Sequence, residues 1–222
     1  AYLFFHLPRF LKEDGGRMGI VTSNAWLDVA YGYELQRFFL KNFKIVAILE
    51  SRCEPWFEDV AINTIVTILL QCKDHEQRDR HLVKFVKIKK KLQDLITYDM
   101  KLEAVNRLPH LDRLVHKIQH AGKEYFKLEG TRIINTLKGL KTYEDEDFRI
   151  RVIRQGELLE EIEKTGKTAK WGKYLRAPEV YFETLEKVRD KLVPLREMAE
   201  IRFGIKPGVT KFFFLTDDKI FH

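Results

Sequence analysis

Two unbroken apolar runs, Ile45 to Leu49 and Ile65 to Leu70, limit what this chain can fold into more than any other feature. Neither alternates with polar residues, so each reads as a strand covered on both faces. The second is rich in β-branched residues, which suit a pleated, buried surface. Upstream, Met18 to Thr22 is a third short apolar run that leaves a glycine pair and ends in Ser23-Asn24, residues that suit a turn or a cap. Leu35, Phe38, Phe39 and Phe43 recur at helical spacing between this run and Ile45 to Leu49. Gly15 to Cys72 therefore reads as strand, helix, strand, loop, strand, part of an open α/β sheet. In such sheets ligands sit in crevices at strand ends. The polar loop Glu50 to Asn63, with its aromatic pair Trp56-Phe57, is where a site is expected.

The remaining chain is read around that unit. Leu3, Phe4, Leu7, Phe10 and Leu11 form a helical stripe ahead of Gly15-Gly16. Lys73 to Arg80 is a charged turn, and Leu82 to Ile88 returns as a strand. Leu111, Leu114, Val115 and Ile118 fit one helix, and Ile133, Ile134, Leu137 and Leu140 another. Glu144 to Asp147 is an acidic turn. Phe148, Ile150 and Val152 alternate with Arg149, Arg151 and Arg154, the pattern of a half-exposed strand. Pro178 opens a helix whose apolar face runs through Tyr181, Leu185, Val188 and Leu192. Ile201 to Leu215 reads as strands joined by a tight turn.

The net charge of +7 is unevenly spread. Residues 1–79 hold nine basic and eleven acidic side chains, 80–142 fifteen and six, and 143–222 sixteen of each. The whole excess sits in the middle third, with Lys84, Lys87, Lys89, Lys90 and Lys91 as its densest run. A localised basic segment is the footprint of a phosphate-binding surface, and equally of a solvated strand and helix face. Cys53 and Cys72 are too few for a disulfide framework, so a reducing, cytoplasmic setting is expected. No apolar run approaches the roughly 20 residues of a membrane span.

The stretches LFFHLPRFLKEDGGRMGIVTSNAWLD, ILESRCEPWFEDVAINTIVTILL and KWGKYLRAPEVYFETL with LVPLREMAEIRFGIKPGVTKFFFL resemble, in order, the N6-adenine DNA methyltransferases of restriction–modification systems. The likeness is greatest to the type in which nuclease, methyltransferase and target-recognition domains are fused. It implies an α/β fold: the second half of a Rossmann-like methyltransferase sheet, a helical segment, and the beginning of a β-containing recognition domain. The expected boundaries are 1–95 for the catalytic domain, 96–177 for a mainly helical basic connector and 178–222 for the start of target recognition.

The resemblance further implies S-adenosylmethionine as cofactor and double-stranded DNA as partner, without a membrane. The Gly-rich cofactor loop and the Asn-Pro-Pro-aromatic tetrad of the family are not in this sequence and would precede Ala1. The chain is therefore expected to be a piece of an enzyme, inactive alone, with the N-terminal part of the same polypeptide as a further partner. By position, Phe57 resembles the family's aromatic that stacks on the flipped adenine, with Trp56 and Asn63 as neighbouring substrate contacts. Lys87, Lys89, Lys90 and Lys91 are candidate DNA contacts, as are Arg202, Lys206, Thr210 and Lys211 near the start of target recognition. Two other readings fit the same residues: a non-catalytic DNA-binding or specificity module, and a methyltransferase-fold enzyme acting on RNA or a small molecule.

Other constellations point to less. His116 and His120 stand one helical turn apart, without the adjacent Glu or a third ligand that a zinc site needs. Glu161 to Lys164 reads as the solvated face of a charged helix. Gly15 to Gly19 lies between helix and strand, the reverse of a phosphate loop.

Overall fold

The computed structural model describes residues 2–57, 63–96, 111–112, 114–116, 118–119, 142–167, 169–193, 195–200, 202 and 204. In chain order its elements are α1 (Tyr2–His6), β1 (Arg17–Ser23), α2 (Gly32–Asn42), β2 (Phe43–Ser51), β3 (Thr64–Gln71), α3 (His75–Asp79), β4 (Leu82–Ile88) and α4 (Leu92–Leu95). There follow β5 (Thr142–Glu144), β6 (Phe148–Arg154), α5 (Gln155–Thr165), α6 (Gly172–Arg176), α7 (Glu179–Val188) and α8 (Leu195–Met198). The fold is α/β. Its six-stranded open sheet has the order β1-β3-β2-β4-β6-β5. Only the β2–β4 pairing is parallel, and the other four are antiparallel. Because β3 lies antiparallel between β1 and β2, those two run in the same direction and end at the same edge.

The apolar runs explain why these segments are strands, and the covering helices explain why the runs do not alternate. One face carries Ile45, Ile48, Ile65, Leu69, Val83, Phe85 and Ile153 against Leu35, Phe39 and Leu40 of α2, Leu158 and Ile162 of α5, and Trp171, Tyr174 and Leu175. The other face holds Ala47, Leu49, Val86, Ile88, Phe148, Ile150 and Val152, against which Ile118 and the part-buried Trp56 and Leu114 pack. Phe43, expected to continue the face of α2, instead begins β2 and is fully buried. Gly32 opens α2 hard against the chain before it: a Cβ there would lie 1.9 Å from the Trp26 carbonyl oxygen. Only glycine permits that approach.

Three expectations change. Lys73 to Arg80 contains a helical turn, α3, whose N-cap Asp74 accepts from the Gln77 backbone N–H at 3.1 Å. The strand from Phe148 is not half-exposed but covered on both faces, because α5, α6, Glu179 and Phe182 lie over the side that carries Arg149, Arg151 and Ile153. Arg151, 5 % exposed, is accommodated there by Glu179 at 3.1 Å, Thr142 at 3.2 Å and the Phe182 ring, 3.4 Å from its guanidinium carbon. Glu161 is not merely solvated: it accepts from Lys173 and from the Tyr174 hydroxyl.

The described residues between 111 and 119 are helical, whereas the second expected helix, 133–140, lies outside the described residues. The chain divides into two compact units, Ala1–Glu183 and Thr184–His222. In the second, Leu192, Val193, Leu195 and Met198 are exposed, and most of the expected strands of 201–215 lie outside the described residues. Among the described residues no helix is long and apolar enough to cross a membrane.

Candidate functional site

The carboxyl ends of β1, β2 and β4 come to one edge of the sheet, and a polar cluster forms there. At its centre is Glu50, near the end of β2 and only 4 % exposed. Burial of a carboxylate is costly unless its oxygens are bonded. Asn24, which follows β1, donates its Nδ2 to Glu50 Oε1 at 2.9 Å. Arg176, at the end of α6, donates Nη2 to Glu50 Oε1 at 2.9 Å and Nε to Oε2 at 3.3 Å. The remaining Nη1 of Arg176 reaches Asp28 Oδ2 at 2.7 Å. Burial works against the Arg176 charge, but the bonds to Glu50 and Asp28 outweigh it and raise its pKa.

Sheet pairing sets a row of charges beside Glu50. Glu50 pairs with Lys87 of β4, and Lys87 with Arg149 of β6, so the three share one face on adjacent strands. Arg149 donates Nη2 to the carbonyls of Leu175 and Ala177, at 2.9 and 2.7 Å. Those neutral acceptors orient the guanidinium without cancelling its charge. Burial lowers the pKa of Lys87, Arg149 pushes the same way, and Arg52 and Arg176 add to it while Glu50 alone opposes.

The loop after β2 is anchored before it reaches the aromatic pair. Arg52 N–H extends the β2–β4 pairing to the Ile88 carbonyl at 2.9 Å. Ser51 Oγ accepts from the backbone of Cys53 and Glu54, both at 3.2 Å, and Cys53 Sγ donates to the Lys89 carbonyl. Glu54 Oε1 accepts from Leu92 N–H at 2.8 Å. Beyond this anchor the pair separates. Trp56 packs against the sheet, its buried indole N–H without a partner among the described residues, whereas Phe57 is 50 % exposed. Asn63 is exposed, and its carbonyl accepts from Asn24 N–H at 3.0 Å, tying the end of β1 to the start of β3.

Among the other sequence candidates, Lys89 donates to Glu144 at 3.0 Å and to the Asp145 carbonyl at 2.5 Å. Lys90 pairs with Asp147 at 2.8 Å and Glu146 at 3.5 Å, so the acidic turn engages two of the five lysines of the run. Lys91 is exposed, and exposed Arg202 pairs with Glu200 at 2.9 Å. Lys206, Thr210 and Lys211 lie outside the described residues. Ser23 caps the turn Asn24–Leu27 by accepting from Ala25 N–H, but Asn24 spends its side chain on Glu50 instead. Among the described residues no three His, Cys, Asp or Glu side chains cluster as metal ligands. Sequence reasoning missed Glu50, Arg149, Arg52 and Arg176. Charged residues in strands and short helices read as solvent-facing until the pairing is known. The one available signal was Glu50 itself, a carboxylate closing an apolar run.

No protein-family model matches the chain, and no curated protein does. Among solved structures the chain is similar to one described as the structural basis underlying complex assembly and conformational transition of the type I R-M system, at 16% identity and a TM-score of 0.44. The match covers 89% of this chain and 38% of that one.

Proposed function

We propose that this chain is part of a DNA adenine-N6 methyltransferase of a restriction–modification system, using S-adenosylmethionine to methylate an adenine turned out of the duplex. The observation that carries the reading is the split of the aromatic pair at the carboxyl end of β2. Trp56 braces the loop against the sheet, and Phe57 stands exposed at the edge where α/β folds bind ligands. The ordered resemblance of three sequence blocks supports the same family. An extruded base needs a flat apolar face to replace its lost stacking, and Phe57 offers one. The Gly-rich cofactor loop and the target-amine tetrad that this reaction calls for are not in this sequence.

The test is Phe57→Ala beside Phe57→Trp in the intact protein, with duplex methylation and cofactor affinity measured separately. A stacked base is worth roughly 1–3 kcal/mol, so Ala lowers the methylation step about tenfold to a hundredfold while cofactor affinity holds. Trp keeps a π face and much of the rate. Normal methylation by Phe57→Ala removes Phe57 from the site and makes Trp56 the next candidate.

A further inference from the structure

We propose that Lys87, flanked by Arg149 and Arg52, seats a backbone phosphate at the carboxyl edge of the sheet. For the identity of the polymer this rests on the reading above; for the anion it rests on the charges alone. Other cations of the neighbourhood are spoken for. Arg176 is held by Glu50 and Asp28, Arg149 by two carbonyls, and Lys89 and Lys90 by the acidic turn. Lys84, on the opposite face of β4, donates to the carbonyls of Ile118 and Gln119. Among the described residues Lys87 makes no hydrogen bond or ion pair, and neither does the exposed Arg52 side chain. Glu50, the carboxylate beside Lys87, already accepts three bonds from Arg176 and Asn24.

The cluster of Lys87, Arg149, Arg52 and Arg176 against Glu50 and Asp28 thus keeps two positive charges in excess. A half-buried ammonium among guanidinium groups costs stability, and Glu50, already engaged by Arg176 and Asn24, is the one neighbour that offsets it. Its return comes when an anion arrives. A phosphate fits what waits there, since guanidinium forks bind phosphate oxygens in pairs and an ammonium serves as a point charge beside them. The position also suits the chemistry. Arg52 and Phe57 are joined by at most about 18 Å of extended chain, so a phosphate at Lys87 and a base at Phe57 can belong to neighbouring parts of one strand. Contacts to phosphate fix register and orientation and carry no sequence information.

The experiment compares the unaltered chain with Lys87→Gln, Arg52→Gln and Lys12→Gln, an exposed charge near the amino end of β1, in fluorescence anisotropy with a labelled duplex across a salt series. Thermal melting with and without inorganic phosphate accompanies it. Lys87→Gln should melt higher than the unaltered chain without ligand, because a repelled charge is gone. It should bind duplex several-fold more weakly, with the log–log salt slope flatter by about 0.9. Arg52→Gln should follow in binding, and Lys12→Gln should bind as the unaltered chain does. Duplex binding unchanged in affinity and slope by Lys87→Gln overturns the phosphate seat and leaves the methyltransferase reading standing. If the chain binds no duplex, yet phosphate raises its melting temperature and fails to do so for Lys87→Gln, the seat stands and the DNA reading falls. A response to neither ligand, or a lower melting temperature for Lys87→Gln alone, overturns the seat.

Discussion

The two ends of β2 solve the same problem in opposite ways. At the amino end β2 runs past its partner β4, whose pairing begins only at Ala47, and its register against β3 shifts between Ile45 and Ala47. Backbone groups are left there, and neutral side chains bond to four of them. Gln155 Oε1 accepts from Ile45 N–H at 2.9 Å, and its Nε2 donates to the carbonyls of Leu40 and Phe43 at 3.1 and 2.6 Å. His81 Nε2 donates to the Ile45 carbonyl at 3.0 Å. At the carboxyl end the groups are charged, and the positive ones outnumber the negative. A saturated neutral network contributes rigidity and asks for nothing more, whereas an unbalanced charged one stores interaction for a ligand. On the function proposed above, the difference separates the structural end of the strand from the end that meets a ligand.

Gln155→Leu should have the largest effect. It strands three buried backbone groups, each worth about 1–3 kcal/mol, so urea unfolding at pH 7 should lose about 4 kcal/mol. A loss under about 1 kcal/mol would mean that the amino end tolerates unpaired groups and that the contrast is false.

The next effect is on pH. Burial, against the opposing bond to Ile45 and with help from Lys44 and Lys84, lowers the His81 pKa from 6.5 to about 4. Between those values the unfolded chain binds a proton that the folded chain does not. Stability is therefore complete above pH 6.5 and falls as the pH drops to about 4, by about 3 kcal/mol. Denaturation curves at pH 7, 5.5 and 4.5 measure it. His81→Gln, which can still donate to the Ile45 carbonyl, should flatten this part of the profile.

A smaller loss is expected at the charged end. Arg176→Ala leaves the buried Glu50 carboxylate with Asn24 as its remaining donor, costing about 2 kcal/mol, below the range for fully buried pairs because Arg176 is 40% exposed. Adding Glu50→Gln should recover most of that loss, since the stranded charge is what destabilises. A double-mutant cycle read by thermal melting decides it, and purely additive losses would show that the two residues do not act as a pair.

What was legible in the sequence is what is local. The apolar runs 18–22, 45–49, 65–70 and 82–88 mark strands, and the Leu35-Phe38-Phe39 spacing marks the helix between them, because side-chain periodicity follows directly from backbone geometry. The polar loop after the second strand was identifiable for the same reason. Tertiary structure alone decided that β3 enters between β1 and β2, and that a strand beginning at Phe148 continues the sheet laid down by Leu82 to Ile88. It also turned Gln155 from an unremarked helix residue into the cap of β2, and placed Lys87 between Glu50 and Arg149. Pairing register joins residues far apart in the chain, and a charge in a strand carries no local sign of which neighbour it will meet. Whether Lys87 is a solvated lysine or an unbalanced one depends on that neighbour.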